Sequence, residues 1–213
     1  MKKVILLAAL ILLFVNISAQ EKSVDPRTKL YFGAKIGANI SNVYDDQGGT
    51  FAASTKAGFA TGIFASIPLG RYLGVQPEIL FSQKGYKSSG SLLLFGDYST
   101  IHTSNYIDLP LLVVLKPVPF FTLLAGPQIS FLVSQRDVTS GSLTIDQQKQ
   151  FDNNNLRKNT LCFTGGFDIN FNHLVIGGRA GWDLQNNNGD GTSTNPRYKN
   201  VWYQATIGFR FGL

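Results

Sequence analysis

A single cysteine, Cys162, stands in the 213 residues, and the only methionine is Met1. One cysteine cannot pair within its own chain, so a disulfide-stapled scaffold is excluded. Charge is also scarce: Asp, Glu, Lys and Arg make up 15% of the residues, against roughly 25% in an average soluble domain. The two histidines, His102 and His173, offer no metal-ligand spacing with Cys162. Beyond residues 4–15 there is no uncharged apolar run near the ~20 residues of a membrane-crossing helix. Disorder is excluded as well, because 44% of the chain is hydrophobic and the mean hydropathy is +0.04. What the chain does have is glycine, 22 residues of it, and 12% aromatics. That balance suits an all-β protein.

Residues 1–19 read as a secretory signal. Lys2 and Lys3 precede the apolar core 4–15, and the exit 16–19 ends on Ala19 in an approximation of the small-residue cleavage rule. The core is too short for an anchor helix, and a polar segment follows it at once. Cleavage after Ala19 leaves 20–28 as a short periplasmic segment and 29–213 as one domain. No cysteine near the cut could carry a lipid. Loss of Lys2 and Lys3 takes the 19 basic residues to 17 against 13 acidic, a net charge of +4. These cations are scattered singly, without the stripe that phosphates need, and no nucleic-acid partner is expected.

The remainder alternates apolar and polar with a period of two, the mark of sheet with two unlike faces. The last segment, 201–213, sets Val201, Tyr203, Ala205, Ile207, Phe209, Phe211 and Leu213 against Trp202, Gln204, Thr206, Gly208, Arg210 and Gly212. A helical period of 3.6 would mix the two sets. The same alternation places strands at 29–40, 55–67, 72–84, 104–116, 120–132, 159–170 and 174–185. The connections between the eight strands then run 41–54, 68–71, 85–103, 117–119, 133–158, 171–173 and 186–200. Long and short connections alternate without exception. Outer-membrane barrels have this rhythm, with an even number of strands, short periplasmic turns and long outer loops.

The physical reason is the solvent. In hydrocarbon every backbone N–H and C=O must be paired, so strands cross only when their sheet closes. The face toward lipid is then apolar, and the face toward an eight-stranded lumen is filled by side chains. Small residues expected inside are Gly58, Gly62, Ser66, Gly166, Gly177, Gly181 and Gly208. Aromatic girdles are expected from Tyr72, Phe120 and Phe211 at the periplasmic rim and from Tyr86, Tyr106, Trp182 and Tyr203 at the outer one. Pro77, Pro110 and Pro127 fall inside strands, where each removes a ladder donor and marks a bulge or a bend.

Residues 73–86 (LGVQPEILFSQKGY), 106–112 (YIDLPLL) and 123–129 (LLAGPQI) resemble, in order and spacing, an outer-membrane β-barrel family common in Bacteroidetes. Its members are often labelled porin-family or PorT-like proteins. The resemblance runs from about residue 29 to the end and includes all three prolines. It implies an OmpA/OmpX-like, eight-stranded, antiparallel up-and-down transmembrane barrel in the cell outer membrane. PorT itself is associated with protein secretion in gliding bacteria. The matching pieces carry no catalytic, cofactor or ligand motif. The aromatic-rich final strand, ending in Leu213 where such barrels commonly end in Phe, implies recognition by the outer-membrane assembly machinery.

By alternation the lumen collects Lys35, Glu78, Asp108, Lys116, Asp168, Arg179, Asp183 and Arg210. Unpaired charges are costly in a narrow interior, so a mutually neutralising network is expected, with Asp168 against Arg179 and Arg210 against Asp183. Such a network plugs the barrel; a narrow selective pore is the alternative. An enzyme would need His102 beside a serine such as Ser82 or Ser104 and a carboxylate, and no nucleophile-elbow motif is present. The run 186–191 lacks the terminal Glu of a calcium loop and reads as a solvated turn. The reading is therefore a structural or surface-interaction barrel without a cofactor, whose partners are membrane lipid and, during biogenesis, the assembly machinery. A passive pore comes second and a lipid-modifying enzyme third. A soluble lipocalin-type carrier would require the opposite arrangement, with apolar residues lining the cavity.

Overall fold

The computed structural model describes residues 25–44, 53–92, 96–140, 145–147, 157–187 and 198–212. The signal reading of 1–19, most of the run 186–191 and the final Leu213 lie outside them. A 3-10 turn, Pro26–Thr28, leads into nine strands: β1 Tyr31–Tyr44, β2 Ala53–Pro68, β3 Leu73–Leu92, β4 Gly96–Val118, β5 Phe121–Ser140, β6 Ile145–Gln147, β7 Asn159–Phe171, β8 Leu174–Asp183 and β9 Lys199–Gly212. Neighbours pair antiparallel in the circular order β1-β2-β3-β4-β5-β7-β8-β9, and β9 returns to β1 from Tyr31↔Gly212 to Tyr44↔Lys199. The sheet is thus a closed eight-stranded barrel. The three residues of β6 pair with the tip of β5 and, among the described residues, with no other strand.

The two faces carry opposite chemistry. Ile36 on β1, Ile207 on β9 and Ile176 on β8 are cross-strand partners on the outer surface, 58%, 52% and 42% exposed. Phe32, Phe59, Ile63, Ile79, Val113, Leu123 and Phe211 point outward with them. Lys35, Glu78, Lys84, Asp108, Asp168 and Arg179 are buried inside. A soluble protein would have the reverse, since exposed apolar area is unfavourable in water. Tyr72, Phe120, Phe211, Trp182 and Tyr203 are exposed at the rims, whereas Tyr86 and Tyr106 are buried. Parity explains the difference: both share the inward-facing set with Ser82, Lys84 and Asp108, so they line the lumen and do not join a girdle.

The three prolines produce neither a bulge nor a register shift. Pairing lapses over two residues on one side of each: β2–β3 at Pro77, β3–β4 at Pro110 and β4–β5 at Pro127. It resumes in the same register each time. The lapses step across three adjacent strands, as expected where each ring lacks the N–H that would bond to the preceding strand.

The long connections 85–103 and 133–158 contain far more strand than the alternation foretells. β3 and β4 stay paired as far as Leu92↔Gly96, and β4 and β5 as far as Ser99↔Ser140. β3, β4 and β5 are 20, 23 and 20 residues long, about twice the ~10 needed to cross a bilayer. Outside lipid a strand needs no apolar face, so the hydrophobic period stops while the backbone ladder continues. At the opposite end the turns are tight, and Asn172 takes φ 52° in the two-residue link between β7 and β8, a conformation asparagine tolerates. Where the β3–β4 extension begins, β2 gains one residue against β3, and Gly85 adopts φ 149°. The Ser41 hydroxyl bonds both the N–H and the carbonyl of Gly85, at 2.8 and 2.9 Å.

Candidate functional site

Among the described residues the lumen concentrates buried polar chemistry, and it is built in three levels. At the middle level Lys35 Nζ on β1 meets Glu78 Oε2 on β3 at 2.6 Å. Gln76 donates to the other carboxylate oxygen at 2.9 Å. Arg179 on β8 comes within 3.9 Å of the same carboxylate and bonds Asp168 on β7 at 2.8 Å. β3 and β8 are four strands apart in either direction around the barrel, so side chains from opposite walls meet here. Asp168 and Arg179 lie close because the turn between their strands is only two residues long.

The second level lies toward the long-loop end. Lys84 Nζ on β3 sits 3.1 Å from both oxygens of Asp108 on β4 and donates to Ser130 at 3.2 Å. The Ser82 hydroxyl donates to Asp108 at 2.5 Å. Lys84 also lies 3.8 Å from the centre of the Trp202 ring, which reaches in from β9; a cation over an aromatic face is favourable. Gly181 faces that ring, and a Cβ there would collide with it. Asp183 forms no ion pair among the described residues and is held by the Asn200 backbone N–H at 3.0 Å, the Asn200 amide at 2.6 Å and the Cys162 thiol at 3.1 Å.

The third level is the mouth at the short-turn end. Lys116 on β4 donates to the Arg27 carbonyl at 3.3 Å, and Arg27 donates to the Pro117 carbonyl at 3.2 Å. Asp25 clamps Arg27 at 2.7 Å and the exposed Arg71 at 2.9 Å. The hydrogen bonds from Arg27 hold the Asp25 carboxyl well below its usual range. Arg210 donates to Asn170 Oδ1 at 2.8 Å and to the Asn172 carbonyl at 2.9 Å.

The expected pairing of Arg210 with Asp183 does not occur. Asp183 pairs across to Asn200, ten residues along β9 from Arg210, or about 30 Å at ~3.3 Å per residue. Alternation assigns both to the inward face, but the long connection before β9 puts them at opposite ends of the lumen. Lys84 was readable from parity with Glu78 and was missed as a strand-end residue. The mouth formed by Asp25 and Arg27 carries no periodic signal.

His102 and Asp137 sit 2.9 Å apart beyond the second level, with Tyr86 stacked on the imidazole at 4.4 Å between centroids. Next to them Tyr198 is pushed up by burial, above the ordinary phenol range. Of the two serines considered with His102, Ser82 is bonded to Asp108 instead.

The outer membrane protein beta-barrel domain model matches residues 18–189. No curated relative matches the chain. Among solved structures, the attachment invasion locus protein Ail of Yersinia pestis is 15% identical, covering 85% of this chain and 98% of its own, with TM-score 0.45. Neisserial surface protein A is 11% identical over 84% and 97%, with TM-score 0.49. OprG from Pseudomonas aeruginosa is 11% identical over 87% and 97%, with TM-score 0.39. The chain belongs to the outer membrane protein β-barrel family.

Proposed function

We propose that this family member is a plugged barrel that works outside the lipid, in a structural or surface-interaction role, rather than a channel for solutes. The observation that carries the reading is the approach of Glu78 and Arg179 from opposite walls to 3.9 Å, with Lys35 and Asp168 completing the chain of charges. A network in which each member is bonded leaves no aqueous path at that level and resists opening. The short turns and both termini face the periplasm, residues 1–19 are the cleaved export signal, and the assembly machinery reads the final strand. The β3–β4–β5 sheet then projects from the cell, on a rigid scaffold where binding groups are commonly carried. The likeness to PorT-like barrels supports this placement and singles out no part in secretion.

Liposome swelling and planar-bilayer recording with the purified protein test the reading. No sugar uptake and no conductance steps are expected; steady conductance would establish the narrow pore instead. The His102–Asp137 pair is the observation that favours an enzyme. A radiolabelled lipid assay of the wild type and of His102→Ala decides that point, with no turnover by either expected.

A further inference from the structure

Among the described residues, the short-turn mouth holds more positive charge than its carboxylates balance. Lys116 is 6% exposed, and its ammonium bonds only a carbonyl. Arg210 bonds an amide oxygen and a carbonyl, and its guanidinium lies over the Tyr31 ring at 4.2 Å. Neither forms an ion pair among the described residues. Both border one small, partly open cavity together with Arg27, Ser66, Thr122 and Asp168, and Pro26 of the N-terminal turn lines it as well. Asp168, the carboxylate of that wall, is committed to Arg179 at 2.8 Å. Asp25, just outside, is committed to Arg27 and Arg71. Arg210 and Lys116 thus bring two like charges to the wall of one cavity, which an anion between them would offset.

The cavity measures about 10 Å³, room for roughly one water-sized body. A water would satisfy donors there but leave the charge in place, and a metal cation would be repelled. We propose that this cavity binds a small monovalent anion of halide size, held between the Lys116 ammonium and the Arg210 guanidinium with the Ser66 and Thr122 hydroxyls beside it. Phosphate and sulfate are too large while the Pro26–Thr28 turn is in place. The site is independent of what the outer sheet does.

The test titrates sodium chloride or bromide against sodium gluconate at constant ionic strength and follows thermal unfolding of the full chain in detergent. Halide should raise the melting temperature along a saturating curve, with a ~100-fold shift in the folding equilibrium at 100 times the dissociation constant. The shift should persist in Arg210→Lys, which keeps the charge, and vanish in Lys116→Gln and Arg210→Gln. Crystals of the wild type grown in bromide give a readout that needs no variant to fold, an anomalous peak between Lys116 and Arg210. The proposal is overturned by equal melting in halide and gluconate, by a halide shift retained in both neutral variants, or by a missing bromide peak.

Discussion

Lys35 and Glu78 meet at 2.6 Å although their strands are not neighbours. β2 stands between them, and the residue it presents opposite Lys35 is Gly62. With no side chain in the way, the lysine crosses over one strand to reach the carboxylate, and Arg179 completes the span from the far wall.

Glu78→Ala should therefore strand the buried Lys35 ammonium, while Arg179 keeps its bond to Asp168. Removing one partner of a buried pair costs about 3–5 kcal/mol. Urea unfolding of Glu78→Ala, Lys35→Met and the double variant gives a cycle in which the double costs clearly less than the sum of the singles. Additive losses would show that the pair is not coupled.

The isoleucine row is the corresponding test of the outer face. Ile207→Arg should cost about 2–4 kcal/mol if Ile207 lies near the middle of the bilayer. Lys87→Ala on the outer hairpin should stay within ~0.5 kcal/mol, as surface changes usually do. Equal, small losses in lipid vesicles would place Ile207 outside the hydrocarbon.

Gly181→Val puts branched carbon against the Trp202 ring, which is already packed against Lys84. Overpacking of this kind costs about 1–3 kcal/mol. Fluorescence reports it directly, because Trp202 is buried and Trp182, the other tryptophan, is exposed. A red shift of the buried component is expected.

Acid should leave the N-terminal clamp intact until the pH is very low. The Asp25 carboxyl is depressed by its bonds to Arg27, so its stabilising contribution is complete above the unfolded value of ~3.9 and is lost only as pH falls through the lower folded one. The protection factor of the Thr28 amide, which bonds the Asp25 carbonyl at 3.0 Å, should be unchanged from pH 7 to 5 once the intrinsic pH dependence of exchange is divided out. In Asp25→Asn the same amide should exchange faster at both.

The outer hairpin should be dispensable for folding. Replacing residues 88–100 with a two-residue turn between Lys87 and Ile101, which pair across the hairpin, removes strand that lies beyond the β1 and β8 ends. The shortened barrel should keep its heat-modifiable migration on gels. Failure to insert would assign the hairpin a role in assembly.

The alternation along 201–213 and 72–84 was enough, by itself, to determine a closed barrel with an apolar outside, because side-chain direction in a strand depends only on parity. The short turns were legible for a similar local reason, as interruptions of that period. Height within the lumen was not legible: Asp183 and Arg210 share a face yet stand at opposite ends, since register depends on how much chain each hairpin spends in its turn. The extension of β3, β4 and β5 was equally hidden, because a strand in water has no need of an apolar face and leaves no period to read. The tertiary structure alone decided that Glu78 is shared by Lys35 and Arg179, and that Lys116 and Arg210 face one cavity without an ion-pair partner among the described residues. Closing the sheet sets opposite walls close enough for such contacts, and no spacing along the chain encodes that distance.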